Sequence, residues 1–157
     1  CEGTNASVAD TRKTLPGLRS LQKYAVTVGG GRNHRYNLSD AVMLKDNHID
    51  ACGSITKAVE KVREKLGHMV KIEVETRNLD EVKEALSTGV EVIMLDNMDC
   101  DTMKIAVEMT NGKALLEASG NITDETIAGV AKTGVDIISI GALTHSVKAF
   151  DISMKIK

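Results

Sequence analysis

Tryptophan is absent from this 157-residue chain, and its aromatic residues amount to two tyrosines and one phenylalanine. Proteins that grip single-stranded nucleic acid stack bases on aromatic rings along a basic groove. With three rings and a formal net charge of -2, this chain is not expected to bind nucleic acid. No run approaches the ~18 consecutive apolar residues of a membrane-spanning helix, so no membrane partner is expected either. The opening CEGTNASVAD lacks a basic stretch followed by an apolar one and does not read as a secretory signal. Cysteine is scarce, and Cys1, Cys52 and Cys100 fall at no metal-like spacing. Free thiols in a reducing cytoplasm are the expectation.

What is present fits one ordinary domain, with 42% hydrophobic and 27% charged residues. The charge is unevenly spread. Residues 1–45 hold seven Lys/Arg against three Asp/Glu, whereas residues 46–157 hold thirteen against nineteen. A local basic cluster facing an acidic remainder suits a small anionic ligand.

From residue 41 onward, strand and helix patterns alternate. AVMLK (41–45), VKIEVE (70–75), VEVIMLD (90–96), KALLEAS (113–119) and VDIISIG (135–141) read as short apolar strands. Residues 53–67, 78–89, 99–112 and 123–134 read as helices, with Ser54 or Thr56 and Asn78 as N-caps and glycines as stops. NASVAD (5–10) is a further strand, and residues 16–28 a helix with Pro16 near its start. Repeated βα units predict a parallel sheet. The strands are almost wholly apolar, as they are when both faces are covered. The absence of any change of direction favours a (β/α) barrel over a doubly wound sheet.

In such a barrel the active site lies at the C-terminal ends of the strands. Those ends read Asp10-Thr11-Arg12-Lys13, Lys45-Asp46-Asn47, Glu75, Asp96-Asn97, Glu117-Ala118-Ser119-Gly120 and Gly141-Ala142-Leu143-Thr144-His145. Any one of them could be an ordinary polar exit into water; the succession along one rim points to a site. Glu73 and Glu75 alternate with Val74 and so face the same side of their strand. On an apolar strand that side is the barrel interior, where each carboxylate needs a cation, a metal or good donors. The rim divides into two chemistries. Arg12, Lys13, His34, Arg35 and Lys45 form a cationic half suited to carboxylates gripped by arginine forks. Glu75 and Asp96 form an acidic half suited to Mg²⁺ or sugar hydroxyls. The loops at Ser119-Gly120 and Gly141 could cradle phosphate with bare backbone amides.

The segments DTRKTLPGLR, GGGRNHR, LKDNHI, IEVE, MLDNM, LLEASGNI and GVDIISIGALTHS resemble, in that order, the motifs of quinolinate phosphoribosyltransferases, and the resemblance runs from about Ala9 to the C-terminus. It implies the type II phosphoribosyltransferase fold: an atypical or incomplete α/β barrel, preceded by an open-faced sandwich domain, in a homodimer or larger homo-oligomer. Residues 1–157 would then be the C-terminal catalytic barrel domain, with the upstream domain missing. The implied reaction joins quinolinate to phosphoribosyl pyrophosphate with Mg²⁺ and yields nicotinate mononucleotide, pyrophosphate and CO₂ for NAD synthesis.

By motif, the resemblance assigns Arg12, Lys13, His34, Arg35 and Lys45 to quinolinate. It assigns Glu75 and Asp96 to the ribose hydroxyls and the metal, and Ser119, Gly120, Gly141 and His145 to the 5′-phosphate region. Lys45, Glu75 and Asp96 are the expected catalytic groups. In the family a basic residue from the partner's N-terminal domain completes the quinolinate pocket, so this chain alone is expected to turn over weakly or not at all. The alternatives are a related transferase for nicotinate or another carboxylated base, a non-catalytic phosphosugar-binding module, and an aldolase-like barrel with Lys45 as Schiff-base former.

Overall fold

The computed structural model describes residues 1–156. Six parallel strands, β1 (Ser7–Ala9), β2 (Val42–Leu44), β3 (Ile72–Thr76), β4 (Val92–Asp96), β5 (Leu115–Ser119) and β6 (Ile137–Ser139), form one sheet in the order β1-β6-β5-β4-β3-β2. The order never reverses, and the last strand lies beside the first. This is the winding of a (β/α) barrel, and among the described residues the wall is incomplete, because β1 and β2 end the hydrogen-bonded order. The chain between them fills part of that place. Arg32 donates its N–H to Val8 O and accepts from Asp10 N, extending the sheet by one bridge beyond β1.

Helices α1 (Arg19–Val28), α2 (Asp46–Cys52), α3 (Ile55–Arg63), α4 (Leu79–Ser87), α5 (Cys100–Thr110), α6 (Ile127–Ala131) and α7 (Ala142–His145) connect the strands. Three begin at side-chain caps: Ser54 accepts from Lys57 N, Asn78 from Glu81 N and Asp99 from Thr102 N. Each cap satisfies one of the otherwise unpaired amides of the first turn.

Strand alternation separates two environments. Leu44, Ile72, Val74, Ile93, Leu95, Leu116, Ala118 and Ile138 join Ala58, Val59, Val82, Ala85, Met103 and Ala106 from the helices in one apolar core. The intervening strand residues, Met43, Glu73, Glu75, Met94, Asp96, Glu117, Ser119 and Ser139, face the other way. Cys1, Cys52 and Cys100 are free thiols. Among the described residues no helix is long and apolar enough to cross a membrane.

Candidate active site

The inward strand residues and the loops above them enclose two adjoining hollows. The first holds about 270 Å³, and Arg12, Lys13, His34, Arg35, Lys45, Glu75, Asp96 and Ser119 all line it, together with Thr11, Met43, Met94, Glu117 and Ser139. The second holds about 460 Å³ and is lined by Gly120, Asn121, Gly141 and His145, among others. Thr11, Lys13, Asp96, Ser119 and Ser139 belong to both, so the two form one continuous cleft. Every residue expected at the site from the sequence therefore borders this cleft: Arg12, His34, Arg35, Lys45 and Glu75 line the first hollow alone, Gly120, Gly141 and His145 the second alone, and Lys13, Asp96 and Ser119 both.

At the first end, Arg12 and Arg35 carry like charges into one space. Burial, and then the charge of Arg12, lower the pKa of the Arg35 guanidinium, although Glu73 and Asp40 oppose the shift. Arg35 Nη1 donates to Ala41 O at 2.9 Å. Arg12 Nε is buried with no hydrogen-bond partner. An unsatisfied buried donor on a permanent cation is costly, and an anionic ligand would relieve both the orphaned N–H and the repulsion between the guanidiniums.

Beneath them lies a cluster that the sequence only half discloses. His34 Nε2 is 3.2 Å from Glu73 Oε2 and 3.4 Å from Glu117 Oε1. The strand pattern turns Glu73 inward, but it offers no clue that His34 reaches it from a loop or that Glu117 completes the group. Burial alone would lower the imidazolium pKa. Glu117 and Glu73 override burial by hydrogen bonding and charge, pushing it from 6.5 up to about 10. For Glu73, burial is the main influence and raises its pKa, with Glu117 adding to the rise and His34 opposing it. The three side chains could also be taken for a metal-binding set. Arg35 N donates to His34 Nδ1 at 2.8 Å, however. That bond uses the Nδ1 lone pair and leaves the proton on Nε2, which faces the two carboxylates and has no lone pair for a metal. His34 gains its second proton only by giving up the Arg35 bond, worth about 1 kcal/mol, against the attraction of two buried carboxylates.

Lys45 stands at the end of β2 and donates to Glu75 Oε2 at 2.9 Å, linking the cationic and acidic halves. Asp96 Oδ2 accepts from Asn97 Nδ2 at 3.0 Å. Each of these carboxylates keeps an oxygen free of the bonds just described. Mg²⁺ takes hard oxygen donors and is commonly held by one or two carboxylates together with a ligand's phosphates, so the free oxygens of Glu75 and Asp96 fit that ion.

The second end of the cleft is shaped by backbone. Asn97 and Asn121 are left-handed at φ 53° and 51°, and Gly120 between their side chains has φ 100°. A Cβ on Gly120 would lie 2.1 Å from Asn97 Oδ1, so only glycine fits. Asn121 Nδ2 donates to Asn97 Oδ1 at 3.0 Å, tying the β4 and β5 loops together. Gly141 is also close-packed: a Cβ there would lie 3.0 Å from the His145 ring.

Residues 1–155 match the family described as quinolinate phosphoribosyl transferase, C-terminal domain. The chain is 52% identical over 149 residues to a probable nicotinate-nucleotide pyrophosphorylase (carboxylating) of Bacillus subtilis, covering 95% of this chain and 52% of that one. It is also 52% identical over 169 residues to the chloroplastic nicotinate-nucleotide pyrophosphorylase (carboxylating) of Arabidopsis thaliana, covering 96% and 49%. The structure of NadC from Streptococcus pyogenes superposes with a TM-score of 0.93 at 48% identity, over 96% of this chain and 53% of that one. A thiamine phosphate pyrophosphorylase of Pyrococcus furiosus, at 15% identity and a TM-score of 0.53, shares the fold alone. The chain spans about half the length of the curated relatives it matches.

Proposed function

The chain belongs to the quinolinate phosphoribosyl transferase C-terminal domain family, and from that premise we propose that its cleft binds quinolinate and phosphoribosyl pyrophosphate and serves phosphoribosyl transfer with decarboxylation, forming nicotinate mononucleotide, pyrophosphate and CO₂. The observation that carries this reading is the buried, unpartnered Arg12 Nε beside the Arg35 guanidinium. A planar diacid supplies two acceptor groups to such a pair, and arginine forks match carboxylates in geometry as well as charge.

In this reading Arg12, Lys13 and Arg35 hold the carboxylates, with His34 at their floor and Lys45 between the diacid and the sugar. Ser119, Gly120, Gly141 and His145 border the 5′-phosphate, and Gly141 and Ala142 begin a helix whose first amides lack intrahelical acceptors. Glu75 and Asp96 take the ribose hydroxyls and Mg²⁺, which supplies charge neutralisation to the pyrophosphate when bound. As the bond from C1 of the ribose to pyrophosphate lengthens, positive charge develops on the sugar. Carboxylates fixed beside it stabilise that charge without having to reorganise. The pyridine nitrogen attacks C1 as pyrophosphate leaves; CO₂ then departs, the adjacent cationic nitrogen stabilises the electron pair left on the ring carbon, and a proton from solvent takes the place of the lost carboxylate, so no nucleophilic side chain is required. A reducing cytoplasm and a homo-oligomer are part of the same proposal.

Release of labelled CO₂ from carboxyl-labelled quinolinate tests the reaction. It should require phosphoribosyl pyrophosphate and occur in the full-length polypeptide carrying this chain. Binding of quinolinate without any such release would leave a phosphosugar-binding module, and equal use of nicotinate would favour a transferase for another base.

A further inference from the structure

The two loops that carry the cations of the cleft come from different places: Arg12 and Lys13 follow β1, while His34 and Arg35 follow α1. Nothing in either loop's own sequence fixes the spacing between them. One face of α1 does so. Arg19 and Lys23 are four residues apart and therefore lie on the same side of that helix, and each of them bonds to both loops.

Arg19 Nη2 donates to Arg12 O at 3.0 Å and its Nε to Thr14 Oγ1 at 3.0 Å, while Nη1 reaches across to Tyr36 O at 3.1 Å. Lys23, fully buried, donates to Asp10 Oδ1 at 2.5 Å and to His34 O at 2.9 Å. Asp10 completes the knot: it also accepts from Asn33 Nδ2 at 2.6 Å and from His34 N at 2.8 Å. Arg19 thus spans residues 12–14 and 36, and Lys23 spans residues 10 and 34. Neither side chain borders the cleft. Their charge is spent on loop carbonyls and one buried carboxylate, and the gap in the barrel wall between β1 and β2 is held by this polar knot in place of a strand ladder.

We propose that Arg19 and Lys23 are positioning residues for the dicarboxylate end of the cleft: they lock the Arg12 loop to the His34–Arg35 loop, so that two guanidiniums that repel each other stay at the separation a planar diacid bridges. The inference rests on the functional reading above and extends it to residues that touch no substrate. Dicarboxylate recognition depends on the distance between two cations, and that distance is set from behind by α1. The second hollow is built mainly from the β4, β5 and β6 loops; it shares Thr11 and Lys13 with the first, but neither Arg12 nor the His34–Arg35 loop lines it, so it depends less on that spacing.

The test is calorimetric titration of the chain and two variants with quinolinate and, separately, with inorganic phosphate. Arg19→Ala leaves carbonyls and a hydroxyl that water can reach and creates no buried unpaired charge. It should weaken quinolinate binding at least fivefold while changing phosphate affinity less than twofold. Lys23→Met should have the same selective effect with a larger loss. Should the buried Asp10 left alone unfold that variant, which circular dichroism would show, Arg19→Ala decides. A general structural defect would weaken both ligands together, and that result, or quinolinate binding unchanged in Arg19→Ala, overturns the proposal. If the unaltered chain binds phosphate but not quinolinate, the functional reading fails and the inference falls with it. Unaltered quinolinate binding with an indifferent Arg19→Ala removes the inference alone.

Discussion

Lys45 Nζ lies 2.9 Å from Glu75 Oε2, so the last side chain of β2's run and an inward carboxylate of β3 meet across the mouth of the cleft. Half of the Lys45 side chain remains exposed, at 49%, against 13% for Glu75. An ion pair so open to water contributes about 0–1 kcal/mol. The ammonium can therefore leave Glu75 for a ligand at little cost, which is the behaviour wanted of a cation standing between a diacid and a sugar phosphate.

Lys45→Ala should accordingly shift the melting temperature of the chain by no more than about 2–4 °C, the change that ~1 kcal/mol produces in a domain of this size. Labelled-CO₂ release by the full-length polypeptide should fall by at least about 100-fold if Lys45 acts on the reacting groups, a loss of ~2.7 kcal/mol. A large drop in melting temperature with activity retained would assign Lys45 to structure.

Arg12→Ala removes a half-buried guanidinium whose buried Nε has no protein partner. Charge-assisted hydrogen bonds contribute about 1.5–3 kcal/mol, so quinolinate affinity should fall roughly 10- to 100-fold by calorimetry. The folded chain should hold its stability or gain some, because an orphaned donor is removed. A stability loss with unchanged affinity would contradict the role given to Arg12.

The His34 cluster has a defined pH signature. Its folded-state pKa is raised from 6.5 to about 10. A raised base contributes stability that is fully present below pH 6.5 and is lost as pH rises through about 10. Melting temperature should therefore decline across that interval. Glu117→Gln should flatten the decline and bring the His34 midpoint, read from its imidazole NMR signals, down toward 6.5. A midpoint that stays high in this variant would show that Glu117 is not a cause.

Gly120→Ala tests the phosphate end. The new Cβ would overlap Asn97 Oδ1, on a backbone at φ 100°. Left-handed strain of this kind costs about 1–3 kcal/mol, so the melting temperature should fall by about 2–10 °C, and phosphate affinity should drop more than quinolinate affinity. The reverse order would place the phosphate elsewhere.

Much of this architecture was legible in the sequence because it depends on local patterns. The apolar runs near 72–76, 92–96 and 115–119 carry their strands, Ser54 and Asn78 cap the expected helices, and the polar strand tips do border one cleft. Helix α2 was not legible. It buries only Ile49, and it starts from a Lys45–His48 capping arrangement, so it has no apolar periodicity to detect. Three other helices are shorter than their patterns: α1 starts only at Arg19, leaving Pro16 in the turn before it, α3 stops at Arg63 without waiting for Gly67, and α6 covers only Ile127–Ala131. The partners of His34 were hidden for a different reason. They lie 39 and 83 positions further along the chain, on β3 and β5, which only the assembled sheet sets either side of β4. The same holds for Asp10 and Lys23, whose pairing needs α1 to fold back on β1.

The most direct test is a paired calorimetric titration of the chain with quinolinate and with nicotinate, which differ by one carboxylate. Two guanidiniums sharing one pocket predict that quinolinate binds at least tenfold more tightly. Equal affinities, or tighter binding of nicotinate, would show that Arg12 and Arg35 do not act on a diacid together and would contradict the account.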